Sequence, residues 1–265
     1  MAPTLLGVAG FPVAHSRSPE MFAPALRELG LDWLYVRLPL PPERFPETAR
    51  ALAGSGYRGI NVTIPHKRAA HDLADDRSDA AAAIGAANTL TYEDGRIEAD
   101  NTDAGGFLDA LGSDPAGTTC LVLGAGGSAR AVAWALRERG AARVSVWNRT
   151  AQRAAELAGD LGLRHVERPE PADLIVNCTS VGLEPGTEEK EAVAAVGLDA
   201  VDPPATFFDL VYGSGPTPLA RWAQAGGSRV VDGREMLVRQ GARSLERWTG
   251  RPAPLDVMRA GAAGA

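Results

Sequence analysis

Residues 121–136 read LVLGAGGSARAVAWAL. An apolar run of strand type stops at a glycine-rich turn and passes into an alanine-rich helical segment, the strand, G-x-G-x-x-A, helix order of a dinucleotide-binding fold. In such a fold Gly124 allows the tight turn, Gly126 lets a pyrophosphate approach the backbone, and Ala129 keeps the helix close to the sheet. A glycine-rich turn is also an ordinary connector in α/β proteins, so the next strand matters. It reads ARVSVWN (142–148). An NAD-selective site ends this strand in Asp or Glu, which holds the ribose 2′-hydroxyl. Here the chain has Asn148, Arg149 and Thr150, with Arg153 one turn on. Two guanidiniums and a hydroxyl suit a 2′-phosphate, and no carboxylate repels it, so NADP is favoured over NAD. The competing reading is a solvated helix entrance capped by Thr150.

Further strands follow at DLIVNCTS (173–180), TFFDLVY (206–212) and SRVVDG (228–233). Upstream, beyond the break SDPAG (113–117), the runs TLLGVAG (4–10), WLYVRL (33–38) and GINVTI (59–64) alternate with helical patterns near 19–29 and 43–53. ANTLTYEDGRIEAD (87–100) reads as a hairpin turning at Asp94-Gly95. The alternation predicts an α/β protein of two domains, each with its own parallel or mixed sheet. Leu237, Gly241, Leu245 and Trp248 form one helical stripe near the C-terminus, which predicts a helix returning to the first domain. The expected division is 1–103, 104–234 and 235–265.

With 45% hydrophobic residues, 27 basic and 33 acidic, the chain has core material and a net charge of -6. No long run of either sign points to nucleic acid or to a membrane anchor, and any anionic ligand must be held by local groups. Cys120 and Cys178 lie apart in apolar, strand-like surroundings, which fits buried thiols in a reducing compartment rather than a disulfide or metal site. No apolar stretch approaches the ~20 residues of a membrane span, and the expected location is cytoplasmic.

Three segments carry polar residues at strand ends. In AGFPVAHSRSPEMF (9–22), Ser18-Pro19 reads as a helix entrance with Ser18 as N-cap, which leaves Ser16 and His15 over. GINVTIPHK (59–67) places Asn61, Thr63 and Lys67 about a strand end broken by Pro65, where open α/β sheets present side chains to ligands, although a lysine there is ordinarily a surface charge. DNTDAGG (100–106) puts Asn101, Thr102 and Asp103 before a helix that Asp103 could simply cap.

Taken together these segments resemble the shikimate dehydrogenase family. The matching stretches are GFPVAHSRSP, GINVTIPHK, GAANT, DNTDAGG, GAGGSAR, NRTAQR, NCTSVG, DLVYGSGPTPL and MLVRQGA, in the family's order along nearly the whole chain. The resemblance implies a substrate domain made from both chain ends, a Rossmann-type NADP domain between them, and reversible NADPH-dependent reduction of 3-dehydroshikimate to shikimate in chorismate and aromatic amino acid biosynthesis. It implies that Ser16 and Ser18 bind the substrate carboxylate, and that Thr63, Asn88, Asp103, Tyr212 and Gln240 complete the substrate site. Hydride transfer leaves charge on the carbonyl oxygen, and Lys67 is the expected proton relay with Asp103 beside it. For the cofactor it implies Gly124, Ala125, Gly126, Gly127, Ser128, Asn148, Arg149, Thr150, Arg153, Leu210 and Gly233, with Thr179 and Ser180 as donors near the nicotinamide. Asn177 in that stretch also reads as a strand terminator. Asp79 matches an acidic position near the cofactor, yet Ser78-Asp79 equally reads as a helix start. Arg234 and Glu235 depart from the family's apolar approach to the last helix. The rival readings are a quinate/shikimate dehydrogenase of broader specificity and a non-catalytic NADPH-binding regulator, whose mark would be loss of Lys67 or Asp103. No metal is called for, and the expected state is a monomer or homodimer.

Overall fold

The computed structural model describes residues 3–184, 186–213 and 215–263. It divides into two compact units, one of 1–106 with 237–265 and one of 107–236. The divisions fall at 106/107 and 236/237, inside two helices, where the sequence reading put them at 103/104 and 234/235.

The first unit opens with β1 (Thr4–Gly10), α1 (Ser18–Glu28), β2 (Trp33–Pro39), α2 (Phe45–Leu52) and β3 (Tyr57–Val62), and continues with α3 (Lys67–Leu73), β4 (Asp76–Arg77), α4 (Asp79–Ile84), β5 (Thr89–Glu93), β6 (Arg96–Asp100) and the start of α5 (Thr102–Leu111). Its six strands lie in the order β2-β1-β3-β5-β6-β4. β1 pairs in parallel with both β2 and β3, while β5 runs antiparallel to β3 and β6, so the sheet is mixed. β1 is buried along most of its length, as expected of a strand covered on both faces. The hairpin turns where expected: Glu93 faces Arg96, and Asp94 and Gly95 take φ of 50° and 74°, the left-handed pair that a two-residue turn demands.

The second unit holds β7 (Thr119–Leu123), α6 (Gly127–Glu138), β8 (Arg143–Trp147), α7 (Ala151–Leu161), β9 (Arg164–His165), β10 (Leu174–Asn177), α8 (Glu189–Ala195), β11 (Thr206–Asp209), α9 (Pro218–Ala225) and β12 (Arg229–Asp232). All pairings are parallel, in the order β12-β11-β10-β7-β8-β9. The first strand of the unit is therefore central and the order reverses beside it, the doubly wound arrangement that binds dinucleotides at its switch point.

α10 (Gly233–Thr249) and α11 (Leu255–Ala263) end the chain. From Leu237 onward they belong to the first unit: Val238, Ala242, Leu245 and Trp248 share one buried cluster with Leu6, Val8, Phe22 and Tyr35. Gly59 makes the approach possible, because a Cβ there would overlap the Trp248 indole. The stripe read from the sequence is thus the buried face of the returning helix.

Candidate active site

Two strand ends of the first unit each feed a helix. β3 leads to Lys67, the first residue of α3, and β6 leads through Asn101 to α5. Asn101 takes the capping role at α5, its Oδ1 accepting the Ala104 N–H at 3.3 Å. The reading of Asp103 as a cap is thereby set aside, and its carboxylate turns to the lysine: Lys67 Nζ donates to Asp103 Oδ2 at 2.5 Å, with the side chains only 10% and 5% exposed. An ion pair this deep persists only if the remaining lone pairs are also met. Asn88, 2% exposed, meets one, donating Nδ2 to Asp103 Oδ1 at 2.9 Å. Its Oδ1 accepts the Thr102 N–H at 2.7 Å, which fixes the amide's orientation, and its Nδ2 also faces Gln240 Oε1 at 3.1 Å. Gln240 Nε2 donates to the Leu237 carbonyl at 2.7 Å. Lysine, carboxylate and two amides therefore form one polar group where β3 and β6 end and β5 begins.

Ser16 and Ser18 are both buried. The expected capping role of Ser18 does not hold. Ser18 is already the first helical residue of α1, and Arg17 occupies the cap position without a side-chain capping bond, while the Ser18 N–H donates to Ser16 Oγ at 3.4 Å. The Ser18 hydroxyl instead accepts from Ser16 Oγ at 3.3 Å and bonds the buried Tyr35 phenol. Arg37 on β2 donates twice to the Ser16 carbonyl, at 3.1 and 2.7 Å, and pairs with Glu20 at 2.6 Å. Thr63 is half-buried beyond β3, close against Gly10, while His15 is exposed.

In the second unit, β7 ends at the glycine turn. Gly124 has φ of +113°, and a Cβ there would stand 3.0 Å from the Cys178 carbonyl carbon and oxygen, so only glycine fits. Gly126, the N-cap of α6, has open space above it and makes no side-chain capping bond, the setting in which a helix N-terminus receives a phosphate. Ala129 is fully buried, as close packing of helix on sheet requires. At the end of β8 the Asn148 side chain donates to the Thr150 carbonyl at 3.0 Å. Thr150 holds the N-cap position of α7 but makes no capping bond, so the capping alternative is not realised. Arg149 and Arg153 are exposed and, among the described residues, make no ion pair or side-chain hydrogen bond. An open glycine cradle beside two unengaged guanidiniums fits a dinucleotide carrying a 2′-phosphate.

Comparison with known proteins follows the same segments. Residues 8–90 match the model of the shikimate dehydrogenase substrate binding domain, 110–180 that of shikimate / quinate 5-dehydrogenase, and 233–260 that of the shikimate 5'-dehydrogenase C-terminal domain. A shikimate dehydrogenase (NADP(+)) of Methanopyrus kandleri is 42% identical over 96% of this chain and 93% of its own length. The chain belongs to the shikimate dehydrogenase family. Among solved structures, shikimate 5-dehydrogenase of Thermus thermophilus in complex with NADP(H) and shikimate superposes with a TM-score of 0.84 at 41% identity, covering 98% of each chain. Shikimate dehydrogenase of Aquifex aeolicus does so at 0.90 and 35%, covering 99% of this chain and 98% of that one.

Of the residues that the shikimate dehydrogenase pattern implied for substrate, Lys67, Asp103, Asn88 and Gln240 are bonded into one group, and Ser16 lies against Ser18. Tyr212 lies in the second unit, half-buried after β11. On the cofactor side Leu210 and Gly233 are packed together, since a Cβ on Gly233 would overlap the Leu210 carbonyl. The Arg234 guanidinium donates to the Gly213 carbonyl. The Thr179 N–H and hydroxyl both donate to Asn177 Oδ1, at 3.0 and 2.6 Å, and so brace the loop. Ser180 is exposed on the same loop. Asp79 is the exposed first residue of α4, capped by Ser78 Oγ at 3.1 Å from the Ala81 N–H, as the helix-start reading has it. Cys120 is a buried free thiol, but Cys178 is only half-buried, unlike the expectation, because it lies beyond the end of β10.

Asp209 had no role in the sequence reading. It ends β11 in register with Asn177 on β10, accepts from Asn177 Nδ2 at 2.9 Å, Val211 N–H at 3.0 Å and Thr217 Oγ1 at 2.5 Å, and is 1% exposed. Burial pushes its carboxyl up to about 6, against the hydrogen bonds that favour the charged form and with Asp232 adding to the rise. A carboxylate closing an apolar run, TFFD, was the available signal. No helix among the described residues is long and apolar enough to cross a membrane.

Proposed function

We propose that this protein catalyses the reversible NADPH-dependent reduction of 3-dehydroshikimate to shikimate, a step of chorismate and aromatic amino acid biosynthesis. The observation that carries the reading is the buried Lys67–Asp103 pair with the Asn88 amide on its second oxygen. A carbonyl carbon that gains a hydride needs a proton at its oxygen in the same event. Lys67 Nζ gives that proton on reduction and, as the amine, takes it from the hydroxyl on oxidation. Asp103 holds the lysine in place and accepts from a ring hydroxyl, with Asn88 and Gln240 beside it. Ser16 and Ser18 bind the carboxylate with neutral donors, so no buried cation is needed, and Thr63 completes the substrate contacts of this unit.

NADPH, when bound, is the source of the hydride. The turn from Gly124 to Ser128 would hold its pyrophosphate, and Asn148 to Arg153 the adenosine ribose and 2′-phosphate, while Leu210 and Gly233 border the other end. The relatives named NADP(+) enzymes, and the Thermus thermophilus neighbour in complex with NADP(H) and shikimate, support both ligands. A cytoplasmic location is in keeping with two free thiols, and the state proposed is a monomer or homodimer.

Spectrophotometric measurement of shikimate-dependent NADPH formation tests the reading, with quinate and NAD run beside it. Turnover confined to shikimate with NADP is the expected result. Comparable rates with quinate and NAD would identify the broader quinate/shikimate enzyme, and NADPH binding without turnover a regulator.

A further inference from the structure

The Asn88 amide that supports Asp103 is itself braced from behind. Asn61 on β3 lies opposite Thr89 on β5. Asn61 Nδ2 reaches the Asn88 carbonyl at 3.3 Å, Thr89 Oγ1 at 3.3 Å and Ser244 Oγ at 2.9 Å. A carbonyl only accepts, so the nitrogen must face it, and Asn61 Oδ1 is left for the Tyr35 hydroxyl, which donates at 2.7 Å. Ser244 then meets two further hydroxyls, Thr89 Oγ1 at 2.8 Å and Thr102 Oγ1 at 3.1 Å, which are 3.2 Å from each other. Its oxygen also lies 3.1 Å from the Gln240 carbonyl, one turn back along α10. Thr102 Oγ1 in turn accepts from Asn88 Nδ2 at 2.9 Å.

Ser244 and Thr89 are both 0% exposed, and Ser244 sits on a helix face whose neighbours Leu245 and Trp248 are core residues. A hydroxyl in such a place is costly unless fully paired, and alanine would fill the position without that cost. The donor sense also limits what the cluster does. Asn61 and Asn88 both direct N–H groups into the three hydroxyls, whose acceptors are the Gln240 carbonyl at 3.1 Å and Asn88 Oδ1 at 3.2 Å, so the cluster begins and ends on amide groups, which neither release nor take up a proton at working pH. The cluster is a brace.

We propose that Ser244 is a positioning residue for the acid–base pair: it ties α10, which carries Gln240, to β5 and α5, and so fixes the Gln240 and Asn88 amides against the Asp103 carboxylate. This rests on the assignment of Lys67 and Asp103 to catalysis. Ser244→Ala removes the oxygen and adds no volume, and Thr89→Val removes the neighbouring hydroxyl while keeping its shape. Each variant is expected to lower kcat about tenfold while the shikimate dissociation constant, from equilibrium titration, stays within about threefold, because small misplacements act on turnover more than on binding. The double variant should be no slower than the poorer single one, since both break the same triad. Wild-type kcat in Ser244→Ala with only a lower Tm, or losses that multiply in the double variant, would overturn the inference. Turnover of the wild-type enzyme is the control that separates this failure from failure of the proposed reaction. A crystal structure of Ser244→Ala reads the same point without turnover: displaced Gln240 and Asn88 amides support the brace, and unmoved amides refute it.

Discussion

Lys67 and Asp103 stand 36 positions apart and meet because β3 and β6 flank β5, so that the helices following them open close together. Removing the lysine takes away a proton donor and leaves a buried carboxylate without its cation. Lys67→Ala should therefore lower kcat about 10²–10⁴-fold and cost about 3–5 kcal/mol of stability. Shikimate affinity by titration should change far less, and an equal loss there would assign Lys67 to substrate positioning. On the cofactor side, Arg149 and Arg153 make no side-chain bond among the described residues that would have to be broken before a phosphate is met. Replacing both with alanine should raise KM for NADP at least about tenfold and leave KM for NAD nearly unchanged, as expected when charge-assisted bonds to one phosphate are lost. The residues legible in the sequence are those whose chemistry is out of place locally, such as a lysine at a strand end or arginines where a carboxylate is usual. Ser18 was misread because Ser-Pro looks the same whether its hydroxyl caps the helix or turns inward. Tyr35 and Ser244 were not legible because their shared partner lies far off in sequence, Asn61 being 26 positions from one and 183 from the other.

Secondary structure was more legible than side-chain roles, because apolar period and turn chemistry are local. The Asp94-Gly95 hairpin and the strand into Gly124 needed no distant partner, whereas β4 and β9 are two residues each and leave no periodic trace. The glycine turn offers a test that separates fold from function. Gly124→Ala would need a left-handed φ and would meet the Cys178 carbonyl, a strain of about 1–3 kcal/mol, so both Tm and NADP binding should fall. Gly126 has φ of -85° and open space around it, where alanine is tolerated. Gly126→Ala should shift Tm by no more than about 2 °C and yet weaken NADP binding, because only the ligand meets the added methyl. Equal affinity in a fluorescence titration of wild type and Gly126→Ala would remove the pyrophosphate from this turn.

Stability of the whole molecule carries the mark of Asp209. Its carboxyl sits at about 6 when folded, above the usual unfolded value of about 3.9, so the folded state favours the protonated form. The contribution is fully present below the unfolded value and is lost as pH rises through about 6, an effect of roughly 2–3 kcal/mol. Asp209→Asn should flatten that part of the Tm profile between about pH 4 and 7 relative to wild type, and parallel profiles would place the carboxyl elsewhere. Overall architecture was readable as two alternations of strand and helix, and the all-parallel pairing of the second unit goes with its helical crossovers. What sequence could not supply was the closing contact of the first unit, since Gly59 yields to the Trp248 indole only in three dimensions. That contact sets a timetable for synthesis. Phe22 and Tyr35 leave the ribosome long before Leu245 and Trp248, the residues that share their cluster, while the intervening unit, continuous in the chain, already has all its strands. During translation the early half of the protein waits with a greasy flank uncovered, and a nascent chain stalled before residue 237 would be the form most in need of a chaperone.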